Sequence, residues 1–203
     1  SDIAELQKKA QKKQKKLTDY SLDYSVLMHE IIPVNDQYIL SAELFSPQYH
    51  TKTFTDFDFY GRPYTNSYSV FDGYRFFHAI VAAFDAEGKL LWDNNIEIRT
   101  LVSPELTPKV SFYQNAGGMV LCYISDGKIG SKIIRENQVV EKLDFTSIDL
   151  LYPEDKLISE SRGVMVHWYK NYFLSYGYQE IKNIALESNN RRMVFQFTKI
   201  RFD

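Results

Sequence analysis

The side chains able to do chemistry are few in this sequence and poorly grouped. There are four histidines, His29, His50, His78 and His167, with no HExxH and no pair at metal-ligand spacing. His29, His78 and His167 fall inside apolar stretches, where a strand neighbour is expected to satisfy them. His50 stands in polar text near Tyr49 and Asp56, the one histidine placed for a metal or a proton transfer. Among carboxylates, Glu30 with Glu43, or Asp56 with Asp58 or Asp72, could serve as the acid and nucleophile of a glycoside hydrolase. DFDFYG (56–61) opens like a calcium loop, but the third acidic ligand and the closing glutamate are missing. No GxSxG elbow, P-loop or GxGxxG occurs, and Gly117–Gly118 reads as a hairpin turn. The single cysteine, Cys122, sits in the apolar run GMVLCYI; it reads as a buried, inert thiol with no disulfide partner in the chain. No catalytic residue, metal site or cofactor is assigned, and the balance leans away from an enzyme.

The elements that would position such groups follow from composition and pattern. The chain has 203 residues, 44% hydrophobic and 25% charged, which excludes a disordered or collagen-like protein. No run reaches the roughly 18–20 apolar residues of a transmembrane helix. Residues 1–16 hold six lysines against Asp2 and Glu5. Rich in Lys, Gln and Ala and free of Gly and Pro, this opening predicts a helix over about residues 3–17. Residues 1–19 are read as a basic arm or connector. With no aromatic residue between its lysines, the arm is not read as a nucleic-acid contact. With no apolar core after them, it is not read as a signal peptide.

From Tyr20 the texture is that of antiparallel sheet, and residues 20–203 are read as one β-repeat domain. Strands are predicted at 23–32, 37–45, 74–84, 89–98, 118–125, 129–136, 138–145, 163–181 and 191–202. Turns are expected at 34–36, at DAEG (85–88), at DGK (126–128) and near Asn137. FHAIVAAFDAEGKLLWDNNIEI (77–98) is echoed by MVLCYISDGKIGSKIIRENQVV (119–140), about one propeller blade later. The expected fold is mostly β, antiparallel and propeller-like, and a β-sandwich is the alternative. Trp92 is expected to anchor a hairpin in the core.

Residues 47–73 read as an irregular segment crowded with aromatic groups, among them Phe57, Tyr60 and Tyr64, either a functional loop or one holding short strands of its own. Most of these rings are expected to fold back over the protein's own sheet. The tip around Gly61, Arg62 and Pro63 is expected to project outward. Phe57, Tyr60, Arg62 and Tyr64 are the candidate binding residues, with aromatic anchors beside a guanidinium. The later rings Trp168, Tyr169, Tyr172, Phe173, Tyr176 and Tyr178 read as strand packing.

Three phrases carry a resemblance: AELFSPQY (42–49), FDGYRFFHAIVAAFDAEGKLLWDN (71–94), and WYKNYFLSYGYQEIKN with RRMVFQFTKIRF (168–202). Together, over residues 24–203, they resemble the C-terminal part of propeller-like proteins of Bacteroidota that are envelope-associated or exported. The resemblance implies a β-propeller-like fold and a periplasmic or outer-membrane setting, and transfers no activity and no catalytic residue. The function expected is a non-catalytic binding or scaffold module, with a protein partner in an envelope assembly. The alternative is a carbohydrate-binding or carbohydrate-processing domain using loop 47–74. A third reading is a cytoplasmic regulatory protein.

Overall fold

A computed structural model of the chain describes residues 24–99, 101–115, 118–185 and 190–202. The predicted helix and the whole 1–19 arm lie outside the described residues. Every regular element described is a β-strand, and every pairing is antiparallel.

Strands β1 (Ser25–Met28), β2 (Ile32–Val34), β3 (Gln37–Phe57), β4 (Pro63–Phe84), β5 (Leu90–Glu97) and β6 (Val102–Ser103) form the first sheet. Its order is β1-β3-β4-β5, with β2 on β3 and β6 on β4. The second sheet is a meander of β7 (Ser111–Asn115), β8 (Gly118–Ser125), β9 (Lys128–Arg135) and β10 (Gln138–Ser147). The third holds β11 (Asp155–Tyr169), β12 (Tyr172–Asn183) and β13 (Arg191–Arg201). No sheet closes into a barrel among the described residues.

The sequence explains this layering through β8. GMVLCYIS is an unbroken apolar run, and all of it is buried. Such a run suits a strand covered on both faces rather than one wetted on a side. Met119, Leu121 and Tyr123 join a core with Ile39, Phe76, Val81 and Ile96 of the first sheet. The alternate residues Val120, Cys122 and Ile124 join a second core with Met165 and Phe173 of the third. The second sheet is therefore the middle layer of three. Burial of Cys122 pushes its thiol pKa well up, in keeping with an inert role.

Turn chemistry acts where it was expected. Asp126 (φ 51°) and Gly127 (φ 68°) both take the left-handed region that a tight β8–β9 hairpin demands. Asn35 (φ 53°) and Glu136 (φ 54°) turn β2 into β3 and β9 into β10. In the 85–88 turn, Asp85 Oδ1 accepts the backbone N–H of Glu87 (3.1 Å) and Lys89 (2.7 Å). Trp92 is buried in the first core, and its Nε1 donates to Gln37 Oε1 at 3.2 Å.

Three readings are corrected. Residues 23–32 are not one strand, because β1 ends at Met28 and β2 begins at Ile32. Residues 163–181 are not one strand, because Lys170 (φ 49°) breaks them into β11 and β12. Residues 47–73 are not an irregular loop, because β3 and β4 continue through them as one hairpin paired from Tyr38↔Phe84 to Phe57↔Pro63.

The first two sheets are pinned by a buried carboxylate. Glu43 on β3 is fully buried, and its Oε1 accepts the backbone N–H groups of Lys109 and Val110, each at 2.8 Å. His29 Nε2 lies 2.9 Å from the same oxygen. The Pro-bearing connection 102–110 cannot join a sheet ladder over its length, so its amide groups find a side-chain acceptor instead.

Candidate functional site

The core half of the β3–β4 hairpin ends near Phe45 and Gly73. Gly73 has φ +138°, and an added Cβ there would lie 2.6 Å from the Ser103 carbonyl oxygen of β6. The ladder also shifts register between Gln48 and Tyr49. Beyond this joint the two strands leave the layers. Every residue of β3 from Tyr49 to Phe57 is exposed. At roughly 3.4 Å per residue this free arm is about 30–35 Å long.

Strand alternation gives the arm two unlike faces. One carries Tyr49, Thr51, Thr53, Thr55 and Phe57, opposite Phe71, Ser69, Ser67, Thr65 and Pro63, and holds no charged residue. The other carries His50, Lys52, Phe54 and Asp56, opposite Val70, Tyr68, Asn66 and Tyr64. Edge-on ring pairs brace it, with Tyr49–Phe71 centroids at 5.5 Å and Phe54–Tyr68 at 6.1 Å. Each such pair is worth roughly 0.2–1 kcal/mol.

The tip is built by Asp58. Its backbone N–H donates to Arg62 O, and its own carbonyl accepts from Gly61 N, both at 2.9 Å. Its Oδ1 accepts from Tyr60 N (2.9 Å) and Arg62 N (2.8 Å). Gly61 at φ +73° completes a three-residue turn of the kind that uses glycine in the left-handed position. The turn lifts Phe59 and Tyr60 into water at 97% and 79% exposure, with Phe57 at 63% and Tyr64 at 44%. The Arg62 guanidinium carbon lies 5.7 Å from the Tyr60 ring centroid, and Phe59 meets Tyr60 edge-on at 5.6 Å.

The structure thus brings Phe57, Tyr60, Arg62 and Tyr64 to one end of one arm. Phe59 is one of the aromatic residues that make the 47–73 segment a candidate surface but is not among the four chosen from it. It is the most exposed ring among the described residues, and its place between Asp58 and Gly61 in a turn signature marks it. The expected folding of the rings over the protein's own sheet is replaced by a stalk that keeps them apart from it. The reason is that β3 and β4 have partners in each other, and neither needs the core to satisfy its backbone.

The catalytic candidates disperse. Asp56 and Asp58 are occupied in turn-making: Asp56 accepts from Phe57 N (2.9 Å) and Tyr64 Oη (3.2 Å), and Asp58 caps the tip. Glu30 is exposed while Glu43 is buried and faces His29, so these two carboxylates do not form a working pair. His50 Nδ1 meets Asp72 Oδ1 at 2.5 Å, two members of a triad-like arrangement at the root of the arm. No hydroxyl or thiol is hydrogen-bonded to His50 among the described residues, so the pair lacks a nucleophile. His167 stacks on Tyr113 at 4.3 Å and bonds the Lys170 carbonyl at 2.8 Å. No group of three or more His, Cys, Asp or Glu able to hold a metal occurs among the described residues.

One small polar cavity, of about 50 Å³, is lined by Lys109, Glu160, Arg162, Asp126, Ser103 and Ser125. Burial lowers the Lys109 pKa against the pull of Glu43, and burial raises that of Glu160 against its bond from Gly127 N. The space is of the size that holds a water or two. No helix among the described residues is long and apolar enough to cross a membrane. The chain matches no protein-family model, and no curated protein matches it.

Proposed function

We propose that the chain is a non-catalytic binding module that engages a protein partner through the tip of the β3–β4 arm, within a bacterial envelope assembly. The observation that carries this reading is the arm itself. A two-stranded ribbon on its own is marginal in water, yet this one carries exposed aromatic rings along its length to a tip about 30 Å from its root. Exposed rings beside an arginine are the usual anchors of protein interfaces. The envelope setting rests on the family resemblance of residues 24–203. A propeller-like arrangement is supported by three antiparallel sheets layered in chain order, with strand β8 of the middle one buried on both faces.

Association should be measured with partner recovered from the native membrane fraction. Truncating both Phe57 and Tyr60 to Ala should weaken it by at least about 2 kcal/mol, with the thermal midpoint unchanged. Full binding by that variant, or by a chain lacking residues 61–67, refutes the reading. A carbohydrate is the alternative occupant, favoured by the uncharged hydroxyl face flanked by Tyr49, Phe57 and Phe71. Glycan-array binding that Tyr60→Ala abolishes would select it.

A further inference from the structure

A second surface, independent of the arm, lies at the edge of the third sheet. Among the described residues that sheet has three strands, and β13 is hydrogen-bonded to β12 alone. The pairing runs unbroken for eleven residues, from Tyr172↔Arg201 to Lys182↔Arg191, with no bulge. Phe202 N donates to Asn171 O at 3.0 Å. By the alternation of an antiparallel ladder, the even-numbered residues of β13 then face β12. The N–H and C=O groups of Met193, Phe195 and Phe197 point the other way, along the open edge. Natural edges are usually blunted by proline, a bulge or an inward charge. Met193–Thr198 has none of these.

The side chains beside this edge suit an added strand. Met193, Phe195 and Phe197 stand 58–63% exposed on the outer face. Tyr178 and Tyr176 pack beside Phe195, at 5.3 and 6.4 Å. On the opposite face of β13 a cleft of about 420 Å³ is lined by Leu151, Tyr152, Val194 and Gln196 among others. Gln196 Oε1 is buried there without a hydrogen-bond partner.

Charge decides the kind of strand. Arg191 and Arg192 are neutralised by Glu180 and Asp155, at 3.4 and 2.5 Å. Lys199 has no carboxylate partner among the described residues; its ammonium donates to Tyr169 Oη at 3.3 Å and sits 4.0 Å over the Tyr172 ring, exposed and with its positive charge uncompensated. A second copy of β13 fits poorly. The strand carries four basic residues and no acidic one, and a two-fold pairing about Gln196 sets Arg191 against Arg201 and Met193 against Lys199.

We infer that β13 is a docking edge for an extended peptide of another protein. That peptide has alternating apolar or β-branched residues over Met193–Phe197 and one carboxylate beside Lys199. Backbone pairing supplies the affinity and the Lys199 contact the choice.

The probe is an array of octapeptides built on alternating Val and Thr, with each position in turn replaced by Asp, Asn or Lys. Amide exchange is read on the full chain. Without peptide, the Met193, Phe195 and Phe197 amides should exchange fast and those of Val194 and Gln196 slowly. An Asp-bearing member should slow the first three at least tenfold. Its Lys counterpart should bind at least tenfold more weakly, and Lys199→Met should remove that preference. N-methylation of alternate peptide amides should abolish binding without any change to the protein. The inference is overturned if no member protects those amides, if Asp and Lys members bind alike, or if the N-methylated peptide still binds. It is equally overturned if sedimentation shows a dimer that Phe195→Lys dissociates.

Discussion

Replacing Glu43 by Ala tests how the first two sheets are joined. The carboxylate is fully buried, and one oxygen serves two backbone donors, Lys109 N and Val110 N, at 2.8 Å. Truncation leaves both donors buried and unpaired, at roughly 1–3 kcal/mol each. It also frees His29 and opens a hole where the side chain was. The expected loss is about 4 kcal/mol, a large share of the roughly 5–15 kcal/mol that holds a domain together. Glu43→Gln keeps an acceptor for the two amides and turns the second oxygen, which is buried without a partner, into an NH2 group, so it should lose about 1–2 kcal/mol. The assay is urea unfolding of the three proteins at one pH, comparing midpoints at a common slope. If Glu43→Ala unfolds within about 1 kcal/mol of the parent at unchanged slope, the pin is not what holds the 102–110 connection, and the reasoning fails.

Trp92→Ala should cost roughly 3–5 kcal/mol, as for other large core aromatics; an unchanged denaturation midpoint would show that the ring does not anchor the first core. Glu160 is a carboxyl whose folded pKa is raised by burial, so its contribution to stability is full below the unfolded carboxylate range and is lost as pH rises through the folded value. Glu160→Gln, which retains an acceptor for Gly127 N, should therefore raise stability more at about pH 7 than at about pH 4; a gain that does not depend on pH contradicts this. Gly73→Ala should destabilise the arm's root, since the new methyl meets the Ser103 carbonyl at 2.6 Å and the backbone φ is +138°; tip residues should lose exchange protection before the β8 amides do.

The layers were legible because local signals agree there. The run GMVLCYIS and the turns at 85–88, 126–127 and 136–137 each specify one outcome, and strands 37–45, 74–84 and 118–125 lie where the text places them. The strand beginning at Asp155 was not legible, because DKLISESR carries too many charges to read as sheet until its partner β12 is known. The arm was misread for a different reason. Its Thr, Ser, Asp and Tyr are as much loop residues as strand residues, and only the register Thr51↔Ser69, Thr53↔Ser67, Thr55↔Thr65 shows that they pair. Phe57, Tyr60, Arg62 and Tyr64 lie together at one tip, because DFDFYGRP spells its own turn. Glu43 as a structural pin was hidden, since its two donors lie more than sixty residues away.

The joint at Gly73 makes the arm a lever. A rotation of about 10° at that joint carries a tip some 30–35 Å away through about 5–6 Å. That is more than the spacing between neighbouring strands, so a small angular change at the root displaces Phe59 and Tyr60 by more than one strand's width. The stalk also uncouples the rings from the packing behind them. Phe59 and Tyr60 at the tip touch neither core, so their types can change while the layers behind them stay as they are.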